Sequence, residues 1–476
     1  MAGITGIGSG IDIDNIVGAL VGAEKAPKEA QLARLEKATT TKISALGQLK
    51  GAMSDFQAAL KGLNDVSLFE KRTATSSVSG SVTASADKTA LTGSYQLAVE
   101  RLATSSSVAT GAVSSSYAAS ESGVLTVKLG AADTAGVAVD IAAGDTLEQI
   151  RDKLNTALKD KGISANIVND PANGTSRLVL SAKDTGAGKD IIVSTDSVTP
   201  PGSPDMTLGA LVVDSSVMAG ASTGGYLGEV AGDAEFTIDG LAQTSASNSV
   251  DGVIPGVTFT LLGKTETDKP STLTVGEDRS GVTANIKKFV TAYNKLISTS
   301  NQLTSVTAVG EGKAPVLGGL VGDSSVRNLL SGVRNELVSA SAEGGVKVLS
   351  DLGITTQKDG TLAIDDAKLA TAIEGNFGAV GSFFTGDSGL MNRLNGRVDG
   401  YSQTGGILEQ RVTGLQEVIN DVDDQRVNLT RRVEQMQARL FAQFNAMDSL
   451  VAQLNQTSDR LTQSLANLPG FVRKDK

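Results

Sequence analysis

From Leu408 to Leu468 the chain runs without a proline, and its apolar residues recur at alternating steps of three and four. They are Leu408, Val412, Leu415, Ile419 and Val422, then Leu429, Val433, Met436 and Leu440, then Met447, Leu450, Leu454 and Leu461. This is a heptad seam, with Arg426, Gln443 and Thr457 in its gaps. A continuous helix of that length reaches roughly 90 Å at ~1.5 Å per residue, more than a globular core needs. Leu49, Met53, Phe56, Leu60 and Leu63 repeat the spacing in a helix that the pattern predicts from Pro27 onward. The spacing leaves two uses open, a bundle folded back on itself and a stem ordered by assembly. On the second, the monomer is expected to be ordered between about residues 72 and 405, with both ends waiting for partners.

Between these ends the apolar period drops to two, and Gly or Asn-Gly marks the turns. Strands are expected at 93–103, at 123–130 and 137–142 as a hairpin, and at ISANIVND and SRLVLSA around Pro171 and Asn173-Gly174. DIIVST, AEFTIDG and GVTFTLLG add three more, and TLEQIRDKLNTALKDKG reads as a helix capped by Thr146. TPPGSPD at 199–205 is the most loop-like stretch. Helices resume near Asp278. The fold class is therefore α+β and multidomain, with terminal helices forming a coiled-coil stem and β-rich head domains nested mid-chain. The expected division is 1–42 arm and stem helix, 43–71 helical domain, 72–105 inner β domain, 106–221 inserted outer β-rich domain, 222–278 inner β domain resumed, 279–430 helical domain resumed and 431–476 C-terminal stem helix. That nesting brings both termini to one end.

Composition narrows the function. The chain holds no Cys and no His, which removes disulfides, thiol catalysis, the commonest general base and the commonest metal ligand. No cofactor is expected. Residues 1–72 carry nine Lys/Arg and eight Asp/Glu, a net +1, and residues 408–476 carry nine of each. The total of −10 therefore leaves −10 − 1 − 0 = −11 on residues 73–407. An acidic middle between neutral ends speaks against nucleic acid, and no apolar run is long enough to span a membrane. Adjacent carboxylates at Asp365–Asp366 and Asp423–Asp424 raise a hydrolase reading. On a strand such neighbours face opposite ways, and on a helix they sit about 100° apart, so surface charge or an N-cap explains them better. The chain is not read as an enzyme.

The opening GITGIGSGIDIDNIVGALVGAE, residues 3 to 24, fits neither a dinucleotide fingerprint, nor a calcium loop, nor a cleavable signal. It reads as a flexible Gly/Ser arm containing Gly6, Gly8 and Gly10, followed by a short helix. Asp12 or Asp14 caps that helix, and Ile13, Ile16, Val17, Leu20 and Val21 form its apolar side.

This opening resembles the amino-terminal signature of the bacterial flagellar filament cap family, the flagellar hook-associated protein 2 family. The likeness continues in order through GSYQLAVERLA, AEFTIDGLAQTSASNSVDGVIPGVTFTLL, FVTAYNKL, LGGLVGDSSVRNLL, LGITTQKDGTLAIDDAKL, VGSFFTGDSGL and LFAQFNAMDSLVAQLNQTSDRL. It is thinnest at 106–221. The resemblance implies a non-catalytic protein exported through the flagellar type III channel with the help of an export chaperone. It further implies assembly in about five or six copies at the filament tip, where the cap retains flagellin and promotes its polymerisation. Terminal helices are then the stems and β domains the plate. The glycine arm, with Gly6, Gly8, Gly10, Asp12 and Asp14, orders on assembly. The resemblance makes Leu49, Met53, Phe56, Leu60, Leu415, Ile419, Val422, Leu429, Val433, Met436, Leu440, Met447, Leu454 and Leu461 the stem and oligomer seam. A stalked surface adhesin, another axial protein of the hook junction, and binding of host surface glycans by the head are the alternatives.

Overall fold

The computed structural model describes residues 10–197, 206–267, 269–310, 312–340 and 345–466. Gly6, Gly8, Leu468 and TPPGSPD therefore lie outside the described residues. The chain divides into two units, one formed by Met1–Val66 with Arg279–Lys476 and the other by Ser67–Asp278.

The first unit is helical. Its elements are α1 (Ile13–Leu63), then, after α2 (Val66–Glu70) and α3 (Leu147–Leu158) of the intervening chain, α4 (Arg279–Thr304) and α5 (Ser324–Val338). They continue with α6 (Asp366–Gly375), α7 (Phe377–Phe384), α8 (Leu390–Ser402) and α9 (Ile407–Ala466). α9 has 60 residues. α1 begins at Asp12, whose carboxylate accepts from the Asn15 N–H at 3.0 Å, and Gly10 before it has φ +74°, a conformation glycine adopts without strain. One helix stands where the sequence suggested two. Pro27 lies inside α1 and interrupts nothing, because buried side chains on both sides of it, Val17 and Val21 before and Leu32 and Leu46 after, hold the helix in place. No helix break marks residue 42.

Leu49, Met53, Phe56 and Leu60 are buried within the protomer, because α4 lies along that part of α1. The Phe56 ring stands 6.0 Å from those of both Phe289 and Tyr293, and Lys295 pairs with Asp55 at 2.6 Å on the same interface. Reading these four residues as an oligomer seam is thus corrected: α4 of the same chain covers them.

The second unit holds two cores. Segments on both sides of the insert build the inner one. A five-stranded sheet runs in the order Arg72–Ser76, Ser271–Glu277, Gly93–Arg101, Ala234–Ile238 and Leu241–Ser245. A three-stranded sheet comprises Ser249–Ile254, Val257–Leu261 and Val82–Ala86. Alternation sends Leu97, Val99, Phe236, Phe259, Leu273 and Val275 to a shared interior, where Phe236 and Phe259 meet edge to face at 5.6 Å. The outer core gathers Leu125, Val127, Ile150, Leu154, Leu178, Leu180 and Ile191.

In that outer core, Gly123–Leu129 and Val137–Ile141 form the expected antiparallel pair. Ile163–Asp170 and Thr175–Thr185 pair around Gly174, whose φ of +63° needs a residue without a Cβ penalty. α3 opens with a reciprocal capping box between Thr146 and Gln149. The strand expected at 93–103 ends at Arg101. Hydrogen bonds from Ala187 N–H to Asp233 at 2.7 Å and from Thr185 Oγ1 to the Ala246 carbonyl at 2.6 Å tie outer residues to inner ones.

Candidate assembly surface

Within the helical unit, α1 and α9 lie side by side and antiparallel. Arg426 pairs with Glu36, and farther along α9 Arg432 pairs with Glu24 at 3.3 Å, so α9 advances as α1 recedes. Nearer the start of α1, Ile13, Val17 and Val21 pack with Val433, and Leu429, Met436, Leu440, Phe441 and Phe444 close around them. Ile16 and Leu20, expected on the apolar side, are exposed, because α9 covers only the Ile13–Val17–Val21 stripe. Between Val21 and Leu32 a groove of about 370 Å³ opens beside Pro27, floored by Leu429, Val433 and Met436 and rimmed by Glu24, Lys28 and Arg432.

The C-terminal seam therefore has two parts. Val422 and Val433 are buried, and Leu415, Ile419, Leu429, Met436 and Leu440 are half-buried. Beyond Phe444 the same spacing meets no cover: Met447 is 44% exposed, Leu450 60%, Leu454 68%, Leu461 57% and Leu465 61%. At about 100° per residue these five fall on the face that carries Val422, Leu429, Val433 and Leu440. The stripe facing α1 thus continues, uncovered, from residue 447 to the last described turn at 466, about 30 Å of helix. The expectation that both terminal helices need an assembly to find partners is corrected as far as Phe444, since each partners the other.

At the opposite end α9 is anchored by charge. Arg411 reaches Asp323 at 2.6 Å and Ser325 at 3.0 Å, while Asp323 caps α5 by accepting from the Ser325 and Val326 N–H groups. Burial pushes the Asp323 carboxyl up, but the hydrogen bond from Arg411, those from the backbone and the guanidinium charge together hold it below the ordinary carboxylate range. This anchor escapes sequence reading, since only the Asp323-Ser-Ser cap is local and its partner lies 88 residues away. Arg426, read as a gap in the seam, instead meets Glu36 on α1, and a polar pair in a seam fixes register.

The remaining candidates are placed simply. Asp14 lies in the first turn of α1. Asp365 caps α6 by accepting from the Lys368 N–H, and Asp366 pairs with Lys287 at 2.8 Å. Asp423 lies 3.7 Å from Arg426, and Asp424 is exposed. Neither acidic pair converges on a common point.

Comparison with known proteins agrees with this architecture. The family model described as flagellar hook-associated protein 2 N-terminus matches residues 9–106, and its C-terminus counterpart matches 231–456. A flagellin hook IN motif matches 124–184. The chain is 53% identical to the A-type flagellar hook-associated protein 2 of Pseudomonas aeruginosa, over 99% of this chain and 98% of that one. It is 44% identical to the B-type protein of that species, over 98% of each. A crystal structure of the flagellar cap protein of Escherichia coli covers 78% of this chain and 99% of its own, with a TM-score of 0.57 and 28% identity.

Proposed function

The chain belongs to the flagellar hook-associated protein 2 family, and on that premise we propose that it caps the distal end of the bacterial flagellar filament. Its role is structural. As a homo-oligomer of about five or six copies it closes the tip, retains exported flagellin and promotes its folding and polymerisation there. The observation that carries this reading is 53% identity over 99% of the chain to a hook-associated protein 2, joined to a long helical stem whose far end, about 30 Å of helix, leaves an apolar stripe uncovered. Among the described residues no helix is long and apolar enough to cross a membrane. Passage through the flagellar type III export apparatus, with an export chaperone, to an extracellular position at the tip belongs to the same proposal.

The two units supply different parts of the cap. The helical unit is the stem and its collar. The inner and outer β cores form the plate, with residues 71, 105, 221 and 278 as its working boundaries. Met447, Leu454 and Leu461 are the seam that meets neighbouring stems, since the seam residues from Leu429 to Leu440 already pack against α1 within the protomer.

The test is complementation of a strain lacking its own cap protein with Met447→Asp combined with Leu454→Asp. Two charges set into an apolar contact each cost several kcal/mol when buried unpaired. Flagellin is then expected in the medium as monomer, with short or absent filaments, while Gln453→Asp combined with Gln456→Asp, both exposed and off the stripe, supports normal filaments. Full-length filaments from the seam variant overturn the role given to the stripe.

A further inference from the structure

The helical unit carries two surfaces of opposite charge that its own packing leaves open. One is a groove of about 630 Å³ between α1 and α4, floored by Ala58, Ala59, Gly62, Ala284 and Ala292 and rimmed by Lys287, Lys288 and Lys295. α4 holds four Lys/Arg and no Asp/Glu, in a chain whose net charge is −10. The other lies on α9, where residues 407–424 hold five Asp/Glu against one Arg. Glu417, Asp421 and Asp424 follow one another there at steps of four and three, all exposed. At about 100° per residue they fall on one face, opposite Arg426 and Val433, which meet α1.

We propose that the α1–α4 groove of one protomer receives the acidic stripe of α9 from a second copy. The stripe points away from α1, so it cannot enter the groove of its own chain. Because groove and stripe stand on different faces of one unit, the contact is heterologous and repeats from copy to copy, as a ring requires. The inference rests on the proposed homo-oligomer and adds a contact distinct from the apolar stripe beyond Phe444.

Shape and charge both fit. Ala284, Lys288, Thr291 and Lys295 form a ladder on α4, and Gly414, Glu417, Asp421 and Asp424 form one on α9, each about 15 Å long. A floor of alanine and glycine lets a second helix approach closely, and Gly414, which stands in open space, puts no side chain in the way. Lys288 is exposed and pairs with nothing among the described residues. Lys295 and Lys287 pair with Asp55 and Asp366 at the surface, where such pairs hold weakly and leave both ammonium groups open to further carboxylates. Asp424 ends its ladder beside Asp421, so neutralising it alone leaves two carboxylates in the contact.

Two full-length variants test the contact by sedimentation. Lys288→Glu with Lys295→Glu makes the groove acidic, and Glu417→Lys with Asp421→Lys makes the stripe basic. Each variant alone should self-associate at least about tenfold more weakly than the parent chain, since like charges then face each other. An equimolar mixture should regain association. In it the acidic groove of the first variant meets the basic stripe of the second, and the unaltered groove of the second meets the unaltered stripe of the first. Undiminished association of either variant alone overturns the proposal. So does a mixture no stronger than its components, the result that a groove meant for a different protein would give. A second measurement needs no substitution: raising salt from about 0.05 M to about 0.5 M should weaken association of the parent chain several-fold, because screening acts on charge. Association that is indifferent to salt, or strengthened by it, also overturns the proposal. These readouts concern charge in solution, so the filament assay can fail without them, and they without it.

Discussion

Two stretches of α9 carry the same seam and meet different fates. From Val422 to Leu440 the stripe is buried or half-buried against α1, whereas from Met447 to Leu465 it is exposed, although the residue types and spacing do not change. The difference lies in the partner, because the described α1 starts at Ile13, level with the Phe444 end of the covered stretch, and α9 goes on past that level to Ala466. A heptad pattern specifies a sticky face; the length of the neighbouring helix decides whether that face becomes core or contact surface. The first stretch is accordingly expected to govern protomer stability and the second to govern association.

Removing an aromatic anchor that the protomer covers on α1 should contrast most sharply with a change on the uncovered stretch of α9. Phe56→Ala, at the α1–α4 interface, is expected to lower unfolding free energy by about 3–5 kcal/mol in urea titration. Leu461→Ala, on the uncovered stretch, should change it by less than about 0.5 kcal/mol. A large loss at Leu461 would show that the protomer already buries the far end of α9.

Asp323→Ala is next in size. It removes the cap of α5 and leaves Arg411 without its partner, for an expected loss of about 2 kcal/mol. The pair also predicts a pH dependence. The Asp323 carboxyl is depressed in the folded protein, so its contribution is complete above the ordinary carboxylate range and is lost as pH falls through that depressed value. The acid limb of stability should therefore be shallower in Asp323→Asn than in the parent chain.

Smaller effects follow from exposed charge. Glu36→Gln breaks a partly exposed pair to Arg426 and should lower the thermal unfolding midpoint only slightly, and less at high salt. Asp424→Asn, on the exposed side of α9, should fall within about 0.5 kcal/mol and leave filament length unchanged.

Local rules made much of this fold legible. Alternation located the hairpin of 123–129 with 137–141, the Asn173-Gly174 turn and the Thr146 cap, because each is decided by residues a few positions apart. The α9 helix was legible for the same reason. What the spacing of Leu49, Met53, Phe56 and Leu60 could not reveal was the identity of the partner, since Phe289 of α4 enters only after the whole β-rich unit has intervened in the chain. Pro27 misled because proline removes one hydrogen bond locally while packing on either side acts over the whole helix. The two-stranded hairpin of Val306–Thr307 with Val316–Leu317 was missed because its strands are too short to show a period.

The most direct test of the divided seam compares Val433→Asp with Leu454→Asp in the same chain, by thermal unfolding of the helical signal and by sedimentation. Val433 is 9% exposed and Leu454 68%, so the same charge enters a covered site in one and an open site in the other. The predicted result is a markedly lower unfolding midpoint for Val433→Asp, and for Leu454→Asp a parental midpoint with weakened self-association. Equal loss of stability in both variants, or undiminished self-association in Leu454→Asp, contradicts the division of α9 into a covered and an assembling half.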